Sequence, residues 1–237
     1  MCSSRDKTHI FTGPSSLECT VFCRRGGCKS RTCTSFYRGE MNAMTVEGKK
    51  IGFALCGSFC TFAKVMPEVK KLVELGAEVY PVMSEIARST DTRFGMAEEF
   101  VKYLEKVTNH KIIDSIKAAE PIGPKGYLDA LIVAPCTGNT LAKIANGVTD
   151  STVSMAAKAN LRNEKPLIIA VSTNDGLGAN ARNLGMLLAR KNIYFVPFGQ
   201  DDCKGKPDSL VADMSKIIAT TETALDSRQI QPILCKG

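Results

Sequence analysis

The chain has 237 residues, 44% of them hydrophobic and 23% charged, with no tryptophan and a formal net charge of +7. That length suits one large domain plus an appendage, and no run nears the roughly 18 continuous apolar residues of a membrane span. The N-terminus lacks the apolar core of a secretory signal, so the expectation is a soluble, cytoplasmic protein with no membrane partner.

Residues 1–40 hold seven Lys or Arg against three Asp or Glu, together with five of the ten cysteines. Only +3 of the charge is left for residues 41–237, and basic residues do not interleave with aromatics there, so nucleic acid is not an expected partner. Residues 1–48 read as a leader, disordered or misassigned, with Met41 and Met44 offering alternative starts; residues 49–237 read as the α/β domain. The spacing of Cys19, Cys23, Cys28 and Cys33 lacks the paired knuckles of a zinc site, and no metal is expected.

From Lys49 onward, strand-like and helix-like runs alternate across short breaks. Ile51 to Cys56 is predicted as a buried strand, Lys64 to Leu75 as a helix closed by Gly76, and Ala77 to Met83 as the second strand. Such a unit favours a right-handed crossover and a parallel sheet. The segment from Ala87 to Phe94 reads as a polar, basic loop, followed by a helix over Met96 to Val107. A central strand from Ala130 to Ala134 is predicted to end at Pro135, where Gly138 allows a turn and Asn139 or Thr140 caps the next helix. Helices are then expected near Leu141 to Ala145 and Val153 to Leu161, a strand at Leu167 to Val171, a helix at Ala179 to Arg190 and a strand at Ile193 to Val196. A last helix from Ser209 to Leu225 precedes an extended tail, Ile230 to Leu234.

Ligands of open parallel sheets collect beyond the carboxyl ends of the strands. Three loops stand there: Gly57 to Thr61, Pro135 to Thr140, and Ser172 to Gly176. Each carries small residues, hydroxyls or amides, a chemistry that suits a phosphate and polyol tail or, without a ligand, ordinary turns. The first loop is not a dinucleotide fingerprint, since Gly52 and Gly57 do not make G-x-G-x-x-G, and no P-loop occurs, which lowers the case for a simple nicotinamide dehydrogenase and leaves a mononucleotide compatible. Cys136 reads either as a nucleophile or as a small buried loop residue, and the histidine available within the domain is His110, a substrate-facing base or a packed side chain. Asn139 can orient a carbonyl or carboxylate, or simply cap a helix. Arg88 and Arg93 are candidate carboxylate clamps or solvated charges, and Asp175, Asp201 and Asp202 are too sparse for a metal site.

Pro135-Cys136-Thr137-Gly138-Asn139-Thr140, with Leu141 to Gly147 after it, resembles the Pro-Ala-Ser-Ala-Asn-Thr region of the flavin-containing cysteine decarboxylase superfamily, which includes phosphopantothenoylcysteine decarboxylases and flavin prenyltransferases. Thr90 to Gly95, Ala119 to Lys125, Ala134 to Thr140, Ser172 to Asp175 and Asn192 to Asp202 together resemble the dipicolinate synthase B-subunit family within it, over roughly Lys49 to Leu234. The resemblance implies a three-layer Rossmann-like flavoprotein fold with a mostly parallel sheet. It further implies a separate dipicolinate synthase A subunit for a partner, dihydrodipicolinate as substrate, dipicolinate (pyridine-2,6-dicarboxylate) as product, and a homo-oligomer. The expected setting is the mother cell of a spore-forming bacterium. NADP is expected on the A subunit, and FMN is a candidate cofactor on this chain.

By matching position, Gly57 and Ser58 look like the first phosphate loop, and Pro135, Asn139 and Thr140 stand where the family has the same residues. Cys136, Thr137 and Gly138 replace its Ala, Ser and Ala. The expected cofactor contacts are Gly57, Ser58, Pro135, Thr137, Gly138, Asn139, Thr140, Ser172 and Thr173; Asn139, Arg93 and His110 are the expected catalytic groups, with His110 as base. The decarboxylases' Pro-x-Met-Asn pattern is replaced by Ser172-Thr173-Asn174-Asp175, which argues against cysteine decarboxylation. A stand-alone FMN-dependent decarboxylase or prenyltransferase-like enzyme, and a non-catalytic stabilising subunit, are the alternative readings.

Overall fold

Runs of apolar residues without alternation become strands buried on both faces, as parallel sheets require. In the computed structural model, which describes residues 45–235, these are β1 (Lys50–Leu55), β3 (Ala130–Cys136) and β4 (Leu167–Thr173), nearly every residue of which is buried. Residues 1–44, with the cysteine spacing and the alternative starts, lie outside the described residues; at the end of the expected leader, Val46 is buried in the core and the Gly48 amide donates to the Gly76 carbonyl at 2.9 Å. In chain order, β1 is followed by a 3₁₀ turn (Phe59–Thr61), α1 (Phe62–Glu74), β2 (Glu78–Met83), α2 (Glu85–Ser89), α3 (Ala97–Thr108), α4 (Ile116–Ala119), α5 (Ile122–Lys125), β3, α6 (Gly138–Asn146), α7 (Thr152–Arg162) and β4. The remainder comprises α8 (Ala181–Leu188), β5 (Ile193–Phe195), β6 (Phe198–Gly199), β7 (Leu210–Ala212) and α9 (Ile217–Leu225).

Strands β2, β1, β3, β4 and β5 lie side by side and parallel, the doubly wound order in which the chain reverses direction between β1 and β3. Helices α1, α3 and α9 pack together on one face, and α4 to α8 on the other, giving three layers. The stripe on α1 comprises Phe62, Val65, Met66, Val69 and Leu72, and that on α3 comprises Val101 and Leu104, both at helical spacing. Gly76, at φ +83°, follows the last turn of α1 and lets the chain turn back into β2, a conformation a side chain would strain.

Four expectations are corrected. The segment 209–225 is not one helix: Leu210–Ala212 forms β7, antiparallel to β6 and to Ser172 and Thr173 at the end of β4. An available strand edge outweighed a helical pattern there. The 87–94 loop begins inside α2, whose N-cap Ser84 accepts the Ala87 amide at 3.3 Å. Strand β3 runs through Pro135 to Cys136, with a register shift after Val133 where proline has no N–H to donate. Finally, α6 is capped by Thr137, one helical turn ahead of Thr140.

Candidate functional site at the carboxyl edge of the sheet

The ends of β1 and β4 bring three hydroxyls together. Ser58 Oγ lies 2.8 Å from Ser172 Oγ, while Thr61 Oγ1 donates to the Ser58 carbonyl at 2.6 Å and lies 3.1 Å from Ser58 Oγ and 3.3 Å from Ser172 Oγ. They line a cavity of about 310 Å³ with Cys60, Lys64, Thr173, Asn174, Asp201, Lys206 and Val211. Thr61 is the N-cap of α1, so Lys64 stands in that helix's first turn, which holds no acidic residue. A cation there opposes the helix dipole. An anion in the cavity would satisfy both the helix end and the lysine.

The second loop adjoins this cluster through Thr173. A Cβ on Gly138 would stand 2.6 Å from Asn180 Nδ2 and 2.7 Å from Thr173 Oγ1. Gly138 is thus required by close packing, and the turn expected of it is made with an ordinary φ. Thr137 Oγ1 accepts the Thr140 amide at 3.3 Å, which occupies that hydroxyl and that N–H in the cap. The amides of Gly138 and Asn139 stand ahead of the helix ladder, with Gly138 buried and Asn139 exposed. From the loop after β4, a chain of side chains ties α8 to α6: Asn180 donates to Asp175 Oδ2 (3.2 Å), Asn183 to Asn180 Oδ1 (3.0 Å), and Asn146 to Asn183 Oδ1 (3.2 Å).

Of the expected cofactor contacts, Ser58, Ser172 and Thr173 line the cavity, and Gly57 adjoins it in the β1 loop, where a Cβ would stand 3.3 Å from the Ile86 side chain. Pro135, Thr137, Gly138, Asn139 and Thr140 stand one strand over, at the end of β3; Pro135 is buried inside the strand. The thiols at the ends of β1 and β3 are buried. Burial pushes Cys56 up to about 11, despite hydrogen bonds with the Thr140 side chain and Thr137 backbone, and burial beside Cys56 raises Cys136 well above the ordinary thiol. Burial and a raised thiol both count against the nucleophile reading of Cys136 and agree with a small buried loop residue.

Arg93 is exposed on the loop joining α2 to α3, 4.9 Å from the Phe94 ring centre, and forms no ion pair among the described residues. Arg88, the other candidate clamp, is engaged by Glu98 at 3.5 Å and Asp114 at 3.7 Å. His110 does not reach this edge. It follows α3 back to the amino half of β2, where it stacks on Tyr80 (ring centres 4.3 Å apart) and sets Nε2 3.4 Å from Glu78 Oε1. Glu78 and Tyr80 open β2, whereas the three loops follow strand ends, so within this chain His110 is not brought together with those loops.

Sequence reasoning passed over Lys64 and Lys206. The signal for Lys64 was a cation within the first turn after a hydroxyl-rich loop, whereas nothing local marks Lys206, which arrives from the β6–β7 connection. No helix among the described residues is long and apolar enough to cross a membrane.

The Flavoprotein family matches residues 41–221. The B subunit of dipicolinate synthase from Bacillus subtilis (strain 168) is 52% identical over 193 residues, 81% of this chain and 96% of the relative. The crystal structure of the same subunit from Bacillus halodurans C superposes with a TM-score of 0.75 at 49% identity, covering 81% of this chain and 99% of that one. The FMN-dependent cysteine decarboxylase SpaF shares the fold, with a TM-score of 0.56 at 22% identity over 77% of this chain and 99% of its own. A parallel sheet with its polar loops gathered at one edge, and these identities over nearly the full length of the relatives, lead to one assignment: the chain belongs to the Flavoprotein family, in the branch formed by the B subunits of dipicolinate synthase.

Proposed function

We propose that this chain acts as the B subunit of a dipicolinate synthase, joining a separate A subunit to oxidise dihydrodipicolinate to dipicolinate, and that its carboxyl-edge cavity takes the phosphate end of FMN. The observation that carries the cofactor reading is the Ser58–Thr61–Ser172 cluster with Lys64 above it. The donor set fits a phosphate: hydroxyls supply neutral donors, Lys64 supplies charge, and the start of α1 adds its dipole. It does not fit a pyrophosphate, because the β1 loop lacks the glycine pattern that lets a dinucleotide approach the backbone. NADP is therefore assigned to the A subunit.

Ser58 and Ser172 would hold the phosphate, and Lys64 would neutralise it. When bound, FMN supplies a ring that accepts two electrons. In this reading Asn139, exposed on the first turn of α6, is the neutral group that orients a carbonyl or carboxylate of the ring or substrate without adding charge. Dihydrodipicolinate carries two carboxylates, and Arg93, its guanidinium free of ion pairs among the described residues, clamps one of them in this reading. The thiols of Cys56 and Cys136, buried at the ends of β1 and β3, stay neutral and take no part in this reading. The reading includes a homo-oligomer working in the mother cell of a spore-forming bacterium.

Reconstitution tests it. Purified chain, its partner subunit, NADP and dihydrodipicolinate are combined, and dipicolinate is measured with each component omitted in turn. Loss of product on omitting either chain is expected; full activity without the A subunit would overturn the two-chain assignment. A flavin absorbance spectrum after incubation with FMN and gel filtration tests the cofactor separately.

A further inference from the structure

The β6–β7 connection reaches back over the cavity. Because β7 pairs with Ser172 and Thr173, the residues leading into it, 200–209, are set beside the hydroxyl cluster. This loop is built rather than loose. The Lys206 amide donates to the Asp202 carbonyl at 2.8 Å, the Ser209 amide to the Lys206 carbonyl at 3.0 Å, Gly205 N to Asp202 Oδ1 at 2.8 Å, and Gln200 Nε2 to the Pro207 carbonyl at 2.7 Å. Leu177 N, from the loop after β4, donates to the Asp208 carbonyl at 3.0 Å and fastens the far end. The Lys206 backbone is thus held on both sides, while its amine lies 3.8 Å from Asp201 Oδ2. Both side chains line the cavity together with Lys64.

We propose that Lys206 is a second anion-binding arm of this cavity, held by Asp201 in the ligand-free protein and transferred to the phosphate group of the ligand on binding. The inference rests on the reading that the cavity takes a phosphate. Asp201 is the carboxylate lining a cavity that otherwise offers hydroxyls, an amide, a thiol and two amines, so it occupies the role an incoming anion would take over. At 3.8 Å, with both side chains open to water, the pair is a weak one that a phosphate displaces readily. A phosphate instead meets two ammonium groups and the hydroxyl cluster, in charge-assisted contacts about twice as strong as neutral ones.

The test titrates the full chain with FMN, with riboflavin, which lacks the phosphate, and with inorganic phosphate, following flavin fluorescence for the first two and calorimetry for the third. Lys206→Ala is expected to weaken FMN and inorganic phosphate by about tenfold, leaving riboflavin unchanged. Lys206→Arg retains most of the affinity, and Asp201→Asn tightens FMN several-fold. Equal FMN affinity in wild type and Lys206→Ala overturns the inference, as does an equal loss for riboflavin. Should Ser58→Ala lose FMN while Lys206→Ala binds normally, the phosphate reading stands and the arm falls. A wild-type chain that binds neither FMN nor inorganic phosphate removes both.

Discussion

Ser58 and Ser172 are 114 positions apart in the chain, yet their hydroxyl oxygens stand 2.8 Å apart at the ends of β1 and β4. Two strands separated by β3 thereby share one polar contact at the mouth of a cavity. Replacing Ser172 by Ala removes the hydroxyl shared by Ser58 and Thr61. We expect about 1 kcal/mol of stability lost and FMN affinity reduced about tenfold, measured by urea unfolding and by flavin fluorescence. Unchanged affinity would dissociate this cluster from the phosphate.

Gly138→Ala brings a methyl group against Asn180 and Thr173, at distances where one of them must move. The expected cost is about 1–3 kcal/mol, read as a lower urea midpoint at unchanged slope. A variant as stable as wild type would mean that the Asp175–Asn180–Asn183–Asn146 chain yields without loss.

Cysteine chemistry separates by depth. Cys60 is exposed beside the cavity, whereas Cys56 and Cys136 are fully buried. A thiol reagent at mild alkaline pH is expected to label Cys60 in the folded protein and to reach Cys56 and Cys136 only after denaturation, as peptide mapping would show. Rapid labelling of Cys136 in the folded chain would reopen its role as a nucleophile.

The raised Cys56 thiol also has a consequence for stability against pH. Burial lifts it from the ordinary 9.0 to about 11, so the folded state holds this proton after the unfolded chain has released it. Its contribution is fully present below pH 9 and is lost as pH rises through the 9-to-11 window, by about 3 kcal/mol at most. Stability curves for wild type and Cys56→Ala should converge or cross as pH rises through that window; parallel curves would show that the thiol does not titrate differently on folding.

His110→Ala removes a ring stacked on Tyr80 and a contact to Glu78. About 1 kcal/mol of stability should go with it, while dipicolinate formation in the reconstituted system stays at the wild-type rate. Arg93→Ala is expected to do the opposite, keeping stability and FMN binding while raising KM for dihydrodipicolinate. A large fall in kcat for His110→Ala would return the base assignment to that residue.

The three loops were legible in the sequence because each joins an apolar run to a group of small polar residues, and a parallel sheet places all strand ends on one edge. The element pattern from β1 to β2 was legible for the same reason: burial on both faces leaves continuous apolar strands, and one buried face leaves a helical stripe on α1. The stretch from Leu210 to Ala212 was not, since its apolar spacing suits a helix and only the free edge of Ser172 and Thr173 made it a strand. The position of His110 was not legible either, because imidazole chemistry carries no address, and the return of α3 set it at the amino end of β2.

By itself, then, the sequence determined an α/β domain with its polar loops at strand ends, since periodicity and loop chemistry are local properties of the chain. The tertiary structure decided which loops meet. Pairing of β7 with β4 carried Asp201 and Lys206 to the Ser58–Ser172 cluster, and the close approach of Gly138 to Thr173 and Asn180 brought the start of α6 against the loop after β4. Contacts of this kind depend on strand order and on the space left by neighbouring side chains, neither of which is encoded within a single local segment.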